Sequence, residues 1–102
     1  MRVHIISIKT LREFWQKHPQ AEKVLREWHT SVENIDFKNF HHVCEVFSTA
    51  DYVLPYTVFD VGGNNFRLVV LVRYRFNKVY VHRVMTHREY GEWNKLYCKG
   101  NG

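Results

Sequence analysis

The sequence predicts an α+β domain in which helices cover one face of an antiparallel sheet. Three observations carry this expectation. In the first half, Leu11, Phe14, Trp15 and His18, and then Ala21, Leu25, Trp28, Val32 and Ile35, recur at the spacing of a buried helical stripe. In the second half the period falls to two, with basic and apolar residues alternating between Phe66 and Thr86, as strands with one covered and one open face require. The chain has 102 residues, 45% of them hydrophobic, enough for one core but not for two.

Taken in order, residues 2–7 read as a strand because Val3, Ile5 and Ile6 are β-branched. Thr10 and Glu13 fit a capping box for the first helix, and Ser7 is an equally suitable cap. Pro19 ends that helix and suits the first turn of the next, which turns Glu22, Lys23, Arg26 and Glu27 to water. Helix–turn–helix spacing raises a DNA-binding alternative, but Trp15 and Trp28 belong in a core. A third helix is predicted over 37–47, capped by Asp36, with Phe37, Phe40, Val43, Cys44 and Phe47 inward. Residues 48–55 read as a loop, since Pro55 lacks a ladder donor.

Gly62-Gly63-Asn64 tolerates positive φ, so it joins strands at 58–61 and 66–74 as a hairpin. Phe76-Asn77 is the second turn. With Arg75 opposite Lys78, one face carries Arg67, Val69, Leu71, Arg73, Arg75, Lys78, Tyr80, His82, Val84 and Thr86. The other carries Phe66, Leu68, Val70, Val72, Tyr74, Val79, Val81 and Met85. A one-residue slip would swap these faces. Beyond Tyr90, Trp93 and Tyr97 predict a last turn or short helix. One domain over 1–98 is expected, with a frayed tail at 99–102.

Fifteen Lys+Arg against ten Asp+Glu give a formal charge of +5, which favours an anionic partner, nucleic acid above all. No secretory signal opens the chain. The longest aliphatic run, Leu68 to Val72, is far short of a membrane span. Cys44 and Cys98 have no metal or CxxC spacing, so a cytoplasmic protein without a disulfide is expected, with Cys44 a buried thiol and Cys98 near the surface. His41, His42 and Cys44 do not converge on a metal from one helix, and neither a metal nor another cofactor is expected. An Arg-rich sheet face is either a solvated outer surface or a surface for single-stranded RNA, where cations meet phosphates and Tyr80 stacks a base.

Several segments together point further: Lys9-Thr10-Leu11-Arg12-Glu13-Phe14, His18-Pro19-Gln20-Ala21, Val58-Phe59-Asp60-Val61-Gly62-Gly63-Asn64 with Arg67, and Val84-Met85-Thr86-His87-Arg88-Glu89-Tyr90. On these the chain resembles HigB-type toxins of toxin–antitoxin pairs, within the RelE-like superfamily of mRNA interferases. The resemblance implies two amino-terminal helices against a curved antiparallel sheet. It implies an enzyme that cuts mRNA on translating ribosomes and is neutralised by a HigA-type antitoxin. It also implies a site over Arg67, Arg73, Tyr80, His82 and the segment from Thr86 to Tyr90.

RNA cleavage through the 2′-hydroxyl needs a base, an acid for the 5′-oxygen and cations for charge developing on phosphorus. His87 is the candidate acid or base, with Tyr90 assisting and His82 sharing proton transfer or binding phosphate. Arg67 and Arg73 are the candidates for phosphate stabilisation. Arg75, Lys78, Tyr80 and Arg88 are the candidates for holding RNA. The structural alternative for His87 is a strand-end histidine capping a carbonyl. Two other functions share these features: a ParE-like gyrase poison and a non-catalytic nucleic-acid-binding module.

Overall fold

The structure, a computed structural model, describes residues 4–63 and 65–101, with side chains as far as residue 96. The first strand, β1 (His4–Ile6), is described without Arg2 and Val3, which lie outside those residues. Ser7 then turns left-handed, φ 73°, and leads into α1 (Ile8–Lys17) without a side-chain cap bond. The helix thus starts ahead of the expected Thr10–Glu13 box, and Glu13 instead faces Lys9 at 3.7 Å. Pro19 opens a single 3-10 turn, Pro19–Ala21, before α2 (Glu22–Glu33). α3 (Phe40–Val46) starts later than predicted. Its cap is Asn39, whose side chain accepts the His42 N–H at 2.9 Å, and not Asp36. Phe37, ahead of the helix, is still buried in the core.

Residues 48–55 are not all loop. β2 (Asp51–Val53) pairs antiparallel with β3 (Tyr56–Val61), and the cis Leu54-Pro55 bond lies in the turn between them. Pro55 therefore sits where no ladder donor is needed. β4 (Phe66–Arg73) follows across Gly62 and Gly63, both at positive φ; Asn64 lies outside the described residues. A Cβ on Gly62 would come within 3.1 Å of the Phe66 ring, so glycine answers both the backbone and the packing there. β5 (Lys78–Thr86) completes a sheet of order β1-β5-β4-β3-β2. β1 runs parallel to β5, so the sheet is mixed rather than wholly antiparallel.

Helices α1, α2 and α3 cover one face, where Leu11, Leu25, Trp28, Val32 and Val43 pack on Phe59, Leu68, Val70, Val79, Val81 and Val84. Phe59 is the hub: the rings of Trp28 and Phe47 meet it edge-on, with centroids at 5.4 and 5.0 Å. Burial of this face by several large side chains at about 1.5–3 kcal/mol each supplies the driving force for the fold.

The β4–β5 register departs from expectation twice. The turn is a 3-10 segment, Tyr74–Phe76, closed by left-handed Asn77, so Arg73 and not Arg75 lies opposite Lys78. Further on, Val70 pairs with Val81 and Val69 with Arg83, which leaves His82 as the extra residue of a β-bulge. Alternation is reset there: Val84 joins the helix-covered core, while Met85 joins Val58 and Val69 on the opposite face. That opposite face is not wholly open. The last turn or short helix expected there is a helix and a longer one: α4 (His87–Asn101) follows β5, and its Tyr90 and Trp93 pack on Val58, Val69 and Met85. Cys44 is a free thiol, half-buried rather than buried; the side chain of Cys98 lies outside the described residues. Among the described residues no helix is long and apolar enough to cross a membrane.

Candidate active site beside the bulge

The bulge aims two polar residues at the face opposite α1 and α2. The His82 imidazole stacks on the Tyr56 ring, centroids 4.6 Å apart and planes 14° from parallel. Tyr56 comes from the start of β3. The Arg83 guanidinium stands 6.0 Å over the Trp93 ring. Trp93 lies 6.1 Å from Tyr56 and 5.9 Å from Tyr90, and the Arg67 guanidinium lies 5.6 Å over Tyr90. His82, Tyr56, Trp93, Tyr90 and Arg67 thus form one continuous string.

Helix α4 delivers Tyr90 and Trp93 together because residues three apart share a helix face. Its start is fixed by a capping box. Thr86 Oγ1 accepts the Glu89 N–H at 3.2 Å, and Glu89 Oε1 accepts the Thr86 N–H at 2.8 Å. The His87 N–H donates to the Asn65 carbonyl at 3.0 Å, tying the helix to the β3–β4 hairpin.

Charge is distributed unevenly. His82 is held below the ordinary histidine value of 6.5, first by burial and then by the neighbouring Arg83. Its imidazole is therefore neutral and a proton acceptor near pH 7. Arg67 is bound to Asp60, its cross-strand neighbour: Nη1 donates to Oδ1 at 2.7 Å, with the two side chains only 12% and 19% exposed. Its positive charge is thereby largely neutralised, and the exposed cation next to the imidazole is Arg83.

Of the nine residues singled out from sequence, eight fall into three groups and Tyr80 stands apart. His82, Tyr90 and Arg67 come together. His87 and Arg88 occupy the first turn of α4 and are exposed, with Arg88 facing Glu92 at 3.9 Å. Arg73, Arg75 and Lys78 gather at the other end of the sheet, where the Arg75 guanidinium sits 5.9 Å over Phe76. Arg73 is six steps along β4 from Arg67, about 20 Å at ~3.3 Å per residue, so one phosphate cannot meet both. Tyr80 is half-buried along β5 between the basic end and the bulge.

Sequence reasoning missed Tyr56, Arg83, Trp93 as a site residue, and Asp60. Trp93 was recoverable from its i, i+3 relation to Tyr90. Arg83 was not, because the alternation that hid it is broken only by the bulge. The histidine pair on α3 is engaged locally: His41 Nε2 faces Glu45 at 3.1 Å, and His42 Nδ1 accepts the Lys38 N–H at 3.3 Å.

A neutral imidazole beside an exposed guanidinium, bordered by tyrosine and tryptophan rings, can take a proton from a hydroxyl, stabilise an anionic phosphorus centre and stack bases. Residues 21–93, from the 3-10 turn before α2 to Trp93, match a family model described as HigB toxin, RelE-like toxic component of a toxin-antitoxin system. The mRNA interferase toxin HigB of Escherichia coli K12 is 34% identical over 91 residues, covering 86% of this chain and 88% of that protein. The mRNA interferase HigB of Shigella flexneri is equally similar. The mRNA interferase HigB of Escherichia coli O6:H1 is 26% identical over 98 residues, 93% of this chain and 95% of that one.

Proposed function

Because the chain belongs to the HigB family, the RelE-like toxic component of toxin–antitoxin systems, we propose that it is an endoribonuclease that cleaves mRNA on translating ribosomes. A HigA-type antitoxin holds it inactive in the cytoplasm. The relatives' description as mRNA interferases supports the substrate. The observation that carries the chemistry is His82, stacked on Tyr56 and neutral beside an exposed Arg83.

In this reading, His82 takes the proton from a 2′-hydroxyl, whose oxygen attacks the adjoining phosphorus. The new 2′-O–P bond forms as the P–O5′ bond breaks, giving a 2′,3′-cyclic phosphate and a 5′-hydroxyl end. His87 lies past the end of β5, more than about 13 Å along the strand from His82, so the leaving 5′-oxygen takes its proton from water. Arg83 stabilises the charge developing on phosphorus. Tyr56 holds the imidazole plane, and Tyr90 and Trp93 offer rings to neighbouring bases. Arg73, Arg75 and Lys78 hold the strand farther along the sheet.

The test is induction of the wild-type chain and of His82→Gln at equal expression, with transcript ends mapped. Discrete cuts in translated messages, bearing 5′-hydroxyl ends and at least about 10²-fold rarer in the variant, are expected. Intact messages alongside damaged DNA would replace this reading with a gyrase poison.

A further inference from the structure

A second cleft lies on the same face as His82. It holds about 200 Å³ and is lined by Thr49, Asp51, Val58, Asp60, Arg67 and Tyr90. We propose that this cleft reads a guanine base of the message, an inference that rests on the RNA-cleaving function.

The lining decides what enters. Two carboxylates stand against one guanidinium, which Asp60 already holds at 2.7 Å. The cleft is therefore net negative and repels phosphate; it takes a neutral group rich in hydrogen-bond donors. Its floor is the buried Val58, and Tyr90 gives an aromatic wall, which suits a flat apolar-faced ring. Its volume is below the ~300 Å³ at which ordinary small-molecule pockets begin, and suits one base better than a whole nucleotide.

Among the four RNA bases, only guanine presents two adjacent donors, N1–H and N2–H, beside an acceptor, O6. A carboxylate takes the two donors, and the guanidinium faces the oxygen. Adenine would turn its N1 lone pair towards the carboxylate, uracil offers one N–H flanked by two carbonyls, and cytosine sets an acceptor beside its amino group. Asp51 is the reader. Its backbone is fixed opposite Val58 in the β2–β3 ladder, and its Oδ1 accepts the Tyr52 N–H at 2.9 Å. A carboxylate has about four lone-pair sites, so acceptor capacity remains for the base. The position also fits. Val58 is two residues from Tyr56, the ring under His82, or about 7 Å along the strand, so a base in the cleft adjoins the scissile phosphate.

The experiment compares mapped cut sites for the wild-type chain and Asp51→Asn. The wild type should show guanine enriched about tenfold over adenine at one fixed position from the scissile bond. In Asp51→Asn, where an amide pairs with adenine, that ratio should fall to about one or invert. The fold is insulated from this exposed substitution, and a thermal melt of the variant checks it. Cleavage without guanine preference, or an unchanged preference in the variant, overturns the inference and leaves the nuclease reading intact. A variant that cuts like wild type but escapes the antitoxin overturns it too, and gives the cleft to a cationic side chain of that partner. The absence of cleavage altogether removes both.

Discussion

His82 and Arg83 stand side by side because a bulge adds one residue to β5, and their charges are coupled. Burial first, and the Arg83 charge second, disfavour the imidazolium and hold His82 below 6.5. A base must be neutral, so cleavage should fall only as pH drops through that depressed value. Arg83→Ala removes a positive neighbour, raises the His82 pKa and moves the acid limb of the pH–rate profile to higher pH, besides lowering the rate. An acid limb that stays in place in Arg83→Ala would separate the two residues. Arg67 poses a different problem. Its partner Asp60 is largely buried, so Arg67→Ala leaves a carboxylate without its cation, at about 2 kcal/mol of stability after allowing for its partial exposure. Urea unfolding of Arg67→Ala and of the Asp60→Asn, Arg67→Ala double variant tests this. The double variant should recover much of the loss, whereas equal destabilisation of both would mean that the ion pair matters little to the fold. Lost toxicity in Arg67→Ala alone is therefore weak evidence of a catalytic arginine.

At the scale of elements, α4 is where sequence and structure part most instructively. Thr86, His87, Arg88, Glu89 and Tyr90 read together as a catalytic phrase, yet Thr86 and Glu89 are the two halves of a capping box. Thr86→Ala should destabilise the helix by about 1 kcal/mol and loosen Tyr90 and Trp93 from the sheet, which hydrogen exchange over residues 87–94 would register as faster opening. Unchanged exchange would mean that the contacts of Tyr90 and Trp93 alone hold α4 in place. The helices α1 and α2 were legible because their apolar stripes repeat over several turns, and the β3–β4 hairpin because positive φ calls for glycine. β2 was not legible: three residues are too few for a period, and Pro55 points to a loop whether or not a strand precedes it. The bulge was invisible for a related reason. Val84 and Met85 are both apolar, so either can face the core, and alternation does not say where a residue has been inserted. The cost of missing it was the face assignment of everything after His82, Arg83 included.

Over the whole molecule, the +5 charge separates by place. The cleft at Asp51 and Asp60 is acidic, Arg83 stands beside His82, and Arg73, Arg75 and Lys78 cluster about 20 Å from Arg67 by strand length. Such spacing suits a single strand laid along the sheet, its backbone gripped at the β4–β5 turn and its scissile phosphate at the bulge. The exposed Phe76 beside Arg75 adds a ring for stacking at the gripping end. Each phosphate neutralised by a cation contributes about −0.7 to the slope of log affinity against log salt for single strands. Three basic residues at the turn should therefore account for a slope of about −2, and Arg83 for a smaller part. Removing all three together, Arg73→Ala, Arg75→Ala and Lys78→Ala, should weaken binding of a ribosome-free single-stranded RNA and flatten its salt response by that amount. A strand held only near the bulge would leave the slope of the triple variant equal to that of the wild type, and the RNA path would then have to leave the sheet before reaching the turn.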